Sequence, residues 1–221
     1  MAVTGLILIG FLLMHAFGNF KLLIPDEGKE FNEYSQILRD LLYPILPPMF
    51  FLWGFRIFLL AATGLHLYSA YKLTGRRWRS TGVSSRYVSQ KPSTSKANSY
   101  AARTMIWGGI IIVLFVIMHL LQFTAQVLTF GYPDGTTTLE PYDRTLAGFS
   151  EWWVVLVYAV AMLAVCVHIF HGFWSAFATL GANVSAKSQS VLKGLAVLIS
   201  AALYFGFMIP PVLILVGVIG Q

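Results

Sequence analysis

Five histidines, one cysteine and one arginine lie deep inside long apolar stretches of this 221-residue chain: His15, His66, His119, His168, His171, Cys166 and Arg56. An imidazole there can ligate a metal, relay a proton or hydrogen-bond a neighbouring helix. A lone histidine fits an interhelical bond as well as a ligand. Four stretches carrying at least one each shift the reading toward ligation, because ionisable groups in apolar surroundings are costly. The single cysteine excludes a disulfide framework, a cysteine-ligated iron–sulfur cluster and a multi-cysteine zinc site. Zinc wants four ligands, commonly with carboxylate or thiolate among them, and no acid is available at histidine depth. Paired imidazoles suit the two axial positions of haem iron, and without thiols for covalent attachment the haems would be b-type.

The elements that position these groups follow from composition. The chain is 57% hydrophobic and 11% charged, with mean hydropathy +0.71 and formal net charge +6. Soluble domains carry about 25% charged residues, so this is read as an all-α integral membrane protein. A helix needs about 20 apolar residues to cross a bilayer. Five stretches meet that length, at roughly residues 1–23, 48–71, 101–130, 152–180 and 191–218. They are continuously apolar, unlike the alternating strands of a barrel. The first has no basic n-region or small-residue cleavage site, and reads as a span that stays. The expected architecture is one membrane domain over residues 1–221, its first four spans bundled around two haems. The fifth span, without histidine, would pack outside them.

Charge orients the spans. All nine acids fall in the segments after spans one and three, while the 72–100 segment and its edges hold eight bases and no acid. Excess Lys and Arg marks the cytoplasmic side, which puts the N-terminus inside and the C-terminus outside. The basic segment is read as topology plus anionic headgroups, compatible with a cytoplasmic partner, and not as a nucleic-acid site.

Depth then pairs the histidines. His15 is fourteen residues after Met1 and His119 fourteen after Met105, both about 21 Å from the cytoplasmic end. His66 is eighteen residues after Pro48 and His168 seventeen after Glu151, both about 26 Å below the outer end. Two pairs at two heights result, separated by about 10–15 Å. His171 shares a helix face with His168, and depth favours His168 by a small margin. His171 would then bond a propionate, a quinone or a neighbouring helix. Arg56, about 15 Å outward of His66, is read as a propionate or quinone partner through its forked donors. Snorkelling to the interface, or pairing with an outer-loop acid, are the competing readings.

Several stretches carry a family resemblance: MAVTGLILIGFLLMHAFGN, RIFLLAATGLHLYSAYKLTGR, ARTMIWGGIIIVLFVIMHLLQFT and HIFHGFWSAFATLGANVSAKSQ. They resemble, in order, the first four helices of the single-subunit, di-haem cytochrome b anchors of succinate dehydrogenases and fumarate reductases, in their actinobacterial-like branch. A short N-terminus, without the basic leader of relatives, is a departure. The resemblance implies a proximal haem on His66 and His168 and a distal haem on His15 and His119. The family's fourth-helix ligand stands four residues before a glycine, here Gly172, which again selects His168.

The resemblance further implies a bacterial plasma-membrane complex with a flavoprotein subunit carrying FAD and an iron–sulfur subunit, both cytoplasmic. Electrons would pass through the haems to a membrane quinone, expected to be menaquinone. Quinone candidates are Tyr34, Gln36, Tyr142, Asp143 and Glu151 at the outer face, which is preferred. Arg103, Tyr71, Trp78 and Ser175 are the candidates at the inner one, with Arg103 also a possible propionate contact. No acid lies within a span, so a transmembrane carboxylate relay is not expected. Two other readings compete: the cytochrome b of a hydrogenase- or formate dehydrogenase-type complex, and a transporter whose histidines relay protons.

Overall fold

The computed structural model describes residues 1–81, 96–182 and 184–220, with the side chains of residues 77–78, 80–81 and 96–103 outside that description. Within these limits the chain is helical and has no strand. Helix α1 spans Ala2–Asn19 and continues as a 3-10 turn, Phe20–Leu23. The others are α2 Lys29–Asp40, α3 Phe50–Thr81, α4 Lys96–His119, α5 Pro141–Ser150, α6 Trp152–Thr179 and α7 Ala186–Leu215. Five segments are long and apolar enough to cross a membrane: Ala2–Leu23, Phe50–Arg76, Thr104–Thr124, Trp152–Thr179 and Ala186–Leu215. A multi-pass membrane protein follows from length and composition.

The third span ends earlier than its apolar run suggests. After His119 the chain makes a π turn, Leu120–Thr124, and Gln126 adopts a left-handed backbone at φ 52°. The amides of Val127 and Leu128 then bond back to the carbonyl of Leu121. The apolar residues up to 130 therefore fold against the bundle end, where Phe130 meets Trp153 edge-on with ring centroids 4.6 Å apart.

Helices α2 and α5 are the main elements that hydrophobic runs did not reveal, because both lie in the acidic connections. Asp26 starts α2 by accepting bonds from the amides of Gly28 and Glu30, the usual service of a short carboxylate to orphan amides. Pro141 starts α5, where its missing N–H costs nothing. The two helices are tied by the Tyr142 amide, which donates to Asn32 Oδ1 at 3.0 Å. Lys21 also pairs with Glu30, fastening α2 to the end of the first span.

The core lies chiefly along α6. Val154, Tyr158, Ala161, Met162, Val165, Ile169, Phe173 and Ala176 are buried at helical spacing. They face α7, α4 and α1. Between membrane helices, small residues allow close approach. Ala196, Ser200 and Gly206 provide it on α7, and Cys166 Sγ donates to the Ser200 carbonyl at 3.1 Å. The fifth span packs on α6 and α1, and Phe207 reaches the ring of His15. Pro210 and Pro211 are both buried within α7, which continues through them. Helix α3 packs mainly on α1 and α2. Its Phe50, Trp53, Ile57, Leu60, Leu65 and Tyr68 are exposed, the lipid-facing surface of a span.

Candidate functional site

Four histidines meet in two pairs. The rings of His15 on α1 and His119 on α4 stand 5.9 Å apart between centroids, with planes at 81°. Those of His66 on α3 and His168 on α6 stand 6.2 Å apart, with planes at 55°. Among the described residues no hydrogen bond joins the two members of either pair. Two imidazoles sharing one metal ion, each with its nitrogen about 2 Å away, have centroids on the order of 6 Å apart. Both pairs match that spacing.

The separation of the two levels can be counted along three helices. Thr4 touches His66, and His15 lies eleven residues further on α1, about 16 Å. Gly109 faces His168, and His119 lies ten residues further on α4, about 15 Å. Tyr158 touches His119, and His168 lies ten residues further on α6, again about 15 Å.

Neighbouring groups hold the rings. Thr4 Oγ1 lies 3.2 Å from His66 Nδ1, and Tyr158 Oη lies 3.0 Å from His119 Nδ1. Each contact occupies one ring nitrogen and leaves Nε2 for a ligand, the arrangement that fixes metal-binding imidazoles. A Cβ on Gly5 would stand 3.4 Å from His66 Cε1, and one on Gly109 3.8 Å from His168 Cε1. Small residues on α1 and α4 therefore let these rings approach the backbone. His15 has Phe11 stacked on it at 5.4 Å and Phe207 tilted at 5.5 Å.

The donor set fits haem iron better than a bare cation. Among the described residues no three His, Cys, Asp or Glu side chains converge. Cys166 is turned to α7, where its thiol bonds Ser200. Each level thus offers two imidazoles and no anion, which suits the axial positions of a macrocycle-bound metal.

The remaining candidates are dispersed. His171 lies outside both pairs, 5.8 Å from the ring of Trp174; its Nδ1, like that of His168, is buried with no partner among the described residues. Arg56 lies over the Trp53 ring at 5.0 Å and has no carboxylate partner among the described residues. It stands close enough to Arg144 on α5 to act on its charge. Burial lowers the Arg144 pKa below its ordinary value; Arg39 and Arg56 push the same way, while Tyr132 and Glu140 oppose them. Of the outer-loop candidates, Gln36 bonds Asp40, Tyr34 covers Gly18, Glu151 accepts from Trp153, and Asp143 is exposed. Tyr71 is exposed, and the side chains of Arg103 and Trp78 lie outside the described residues, as does most of the basic segment.

The sequence signal passed over Thr4, Gly5, Gly109, Tyr158 and Gln122. Helical spacing offered a clue to two of them. Gln122 follows His119 by three residues and Tyr158 precedes His168 by ten, close to three turns. Comparison with family models, curated proteins and solved structures finds no match.

Proposed function

We propose that this chain is a di-haem cytochrome b that anchors a succinate:quinone oxidoreductase in the bacterial plasma membrane, with its N-terminus cytoplasmic. The observation that carries the haem reading is the pairing of four intramembrane histidines at 5.9 Å and 6.2 Å on four different helices. The assignment to this complex rests on the sequence resemblance.

In this reading His66 and His168 hold the proximal haem, and His15 and His119 the distal one. Bound there, haem supplies one-electron redox chemistry. Two histidines holding each haem would leave the iron no open coordination position, which would restrict the site to electron transfer. Thr4 and Tyr158 orient the ligating rings. The aromatic and aliphatic residues around them keep water away and the local dielectric low, which tunes the potential. Arg56, beside the outer arginines, is suited to a propionate or a quinone carbonyl.

Electrons would enter from an iron–sulfur subunit, itself fed by a flavoprotein carrying FAD, and leave to a quinone, menaquinone by resemblance. Purification from a native membrane in mild detergent tests this. The chain should bring a flavoprotein and an iron–sulfur protein with it, and the assembly should reduce a menaquinone analogue with succinate. Co-purification with a hydrogenase or formate dehydrogenase instead would reassign the complex while leaving the haem sites intact.

A further inference from the structure

We propose that Tyr158 is a positioning residue which, through a hydrogen-bonded chain from His119 to Gln122, makes the His15/His119 level more electron-rich than it would be without that chain. The inference rests on the haem-binding reading and deepens it, adding Gln122 and an effect on potential to the ring-orienting contact of Tyr158.

The chain is short and directional. Tyr158 Oη donates to Gln122 Oε1 at 3.0 Å. With its proton engaged there, the hydroxyl accepts from Nδ1–H of His119 at 3.0 Å. That fixes the tautomer of His119, because Nδ1 carries the proton and Nε2 keeps its lone pair. Hydrogen bonds in such a series polarise one another in a low dielectric, so the hydroxyl oxygen is a stronger acceptor than an isolated one.

Packing holds the chain in place. The Tyr158 ring meets Phe115 and Phe149 edge-on at 4.8 Å and 4.9 Å, and Phe123 at 6.3 Å. Tyr158 is 6% exposed and Gln122 1%. Gln122 sits on the π turn that follows His119, a feature often found at functional sites. Its amide fits because position 148 is glycine: a Cβ there would lie 2.6 Å from Gln122 Nε2. That Nε2 is buried without a partner among the described residues. An unsatisfied buried amide costs stability, so a polar side chain kept here calls for an explanation. Accepting the Tyr158 hydroxyl provides one.

The other histidines are held differently. Among the described residues His15 has ring contacts and no hydrogen bond, while His66 has a shorter chain of its own, in which Thr4 Oγ1 donates to the Met1 carbonyl at 3.0 Å and lies 3.2 Å from His66 Nδ1. An imidazole that donates its N–H becomes a more basic ligand, and a more basic ligand favours the oxidised metal. The His119 level should therefore be harder to reduce than it would be without Tyr158.

Redox titration of the purified complex, followed by visible absorption, tests this with Tyr158→Phe. One of the two haem transitions should move toward easier reduction by about tenfold in equilibrium constant, about 59 mV for one electron. The other transition should stay in place. Gln122→Leu keeps the Tyr158 hydroxyl and should move the same transition in the same direction by less, which preserves the test if Tyr158→Phe fails to assemble. Two unmoved transitions, or two moving equally, would overturn the proposal. A wild-type protein without two haems would instead overturn the haem reading itself.

Discussion

The rings of His66 and His168 lie 6.2 Å apart although the helices that carry them are packed principally on other partners. Helix α3 rests on α1 and α2, while α6 rests on α7, α4 and α1. The pair therefore spans two sides of the bundle, and a group held between them would tie α3 to the core. The same holds for His15 and His119, which join α1 to α4.

Ligation by His168 and not His171 has a direct consequence. His168→Ala should remove one of two b-type haems, measured as haem per polypeptide. His171→Ala should keep both, with altered potential or quinone kinetics, because the His171 ring meets Trp174 and, among the described residues, is in ring contact with no histidine of another helix. The opposite pattern would exchange their roles.

Gly5 should matter to one level only. A Cβ there already sits 3.4 Å from His66 Cε1, so the longer branches of Gly5→Val would press on the ring. Haem affinity at the His66/His168 level should fall by about 10- to 100-fold, the usual range for losing support behind a ligand. The His15/His119 level, about 16 Å along α1, should keep its haem. Equal loss from both levels would mean that Gly5 serves the fold as a whole.

The histidine positions and five apolar runs were readable because helix rise turns sequence distance into depth. What surrounds the rings was not. Thr4, Tyr158 and Gln122 reach the histidines from other helices or across a π turn, and no spacing rule states which helices are neighbours. The end of the third span was misplaced for a related reason. Val127, Leu128 and Phe130 are apolar enough to extend a helix, yet the left-handed backbone at Gln126 and the bonds to Leu121 turn them back.

The turn ending that fold-back should be sensitive to a single methyl group. Gly131 has φ 70°, and a Cβ there would lie 2.0 Å from the Ala147 carbonyl oxygen. Gly135 has φ 76° with nothing within 4 Å. Both alanine variants meet the conformational cost of a positive φ, about 1 kcal/mol. Only Gly131→Ala adds a clash with backbone, worth about 1–3 kcal/mol more. Thermal unfolding in detergent should show Gly131→Ala melting several degrees below Gly135→Ala. Equal melting temperatures would refute the close approach of α5 to this turn.

The orientation assigned from charge predicts which loops face outward. In a Cys166→Ser background, Thr137→Cys in the acidic connection should react with a membrane-impermeant thiol reagent on intact cells. Lys187→Cys, in the first turn of α7, should react only after permeabilisation. Both positions are exposed, so burial does not confuse the reading. The reversed pattern would place the N-terminus outside.

The central claim is that four histidines on four helices hold two haems. Haem quantified per polypeptide in the purified protein, with a dithionite-reduced minus oxidised spectrum, tests it most directly. Two b-type haems per chain, with one lost on replacing either His15 or His119 and the other on replacing either His66 or His168, is the predicted result. A preparation from haem-replete cells with no b-type α-band, or with haem unaffected by those replacements, would contradict it.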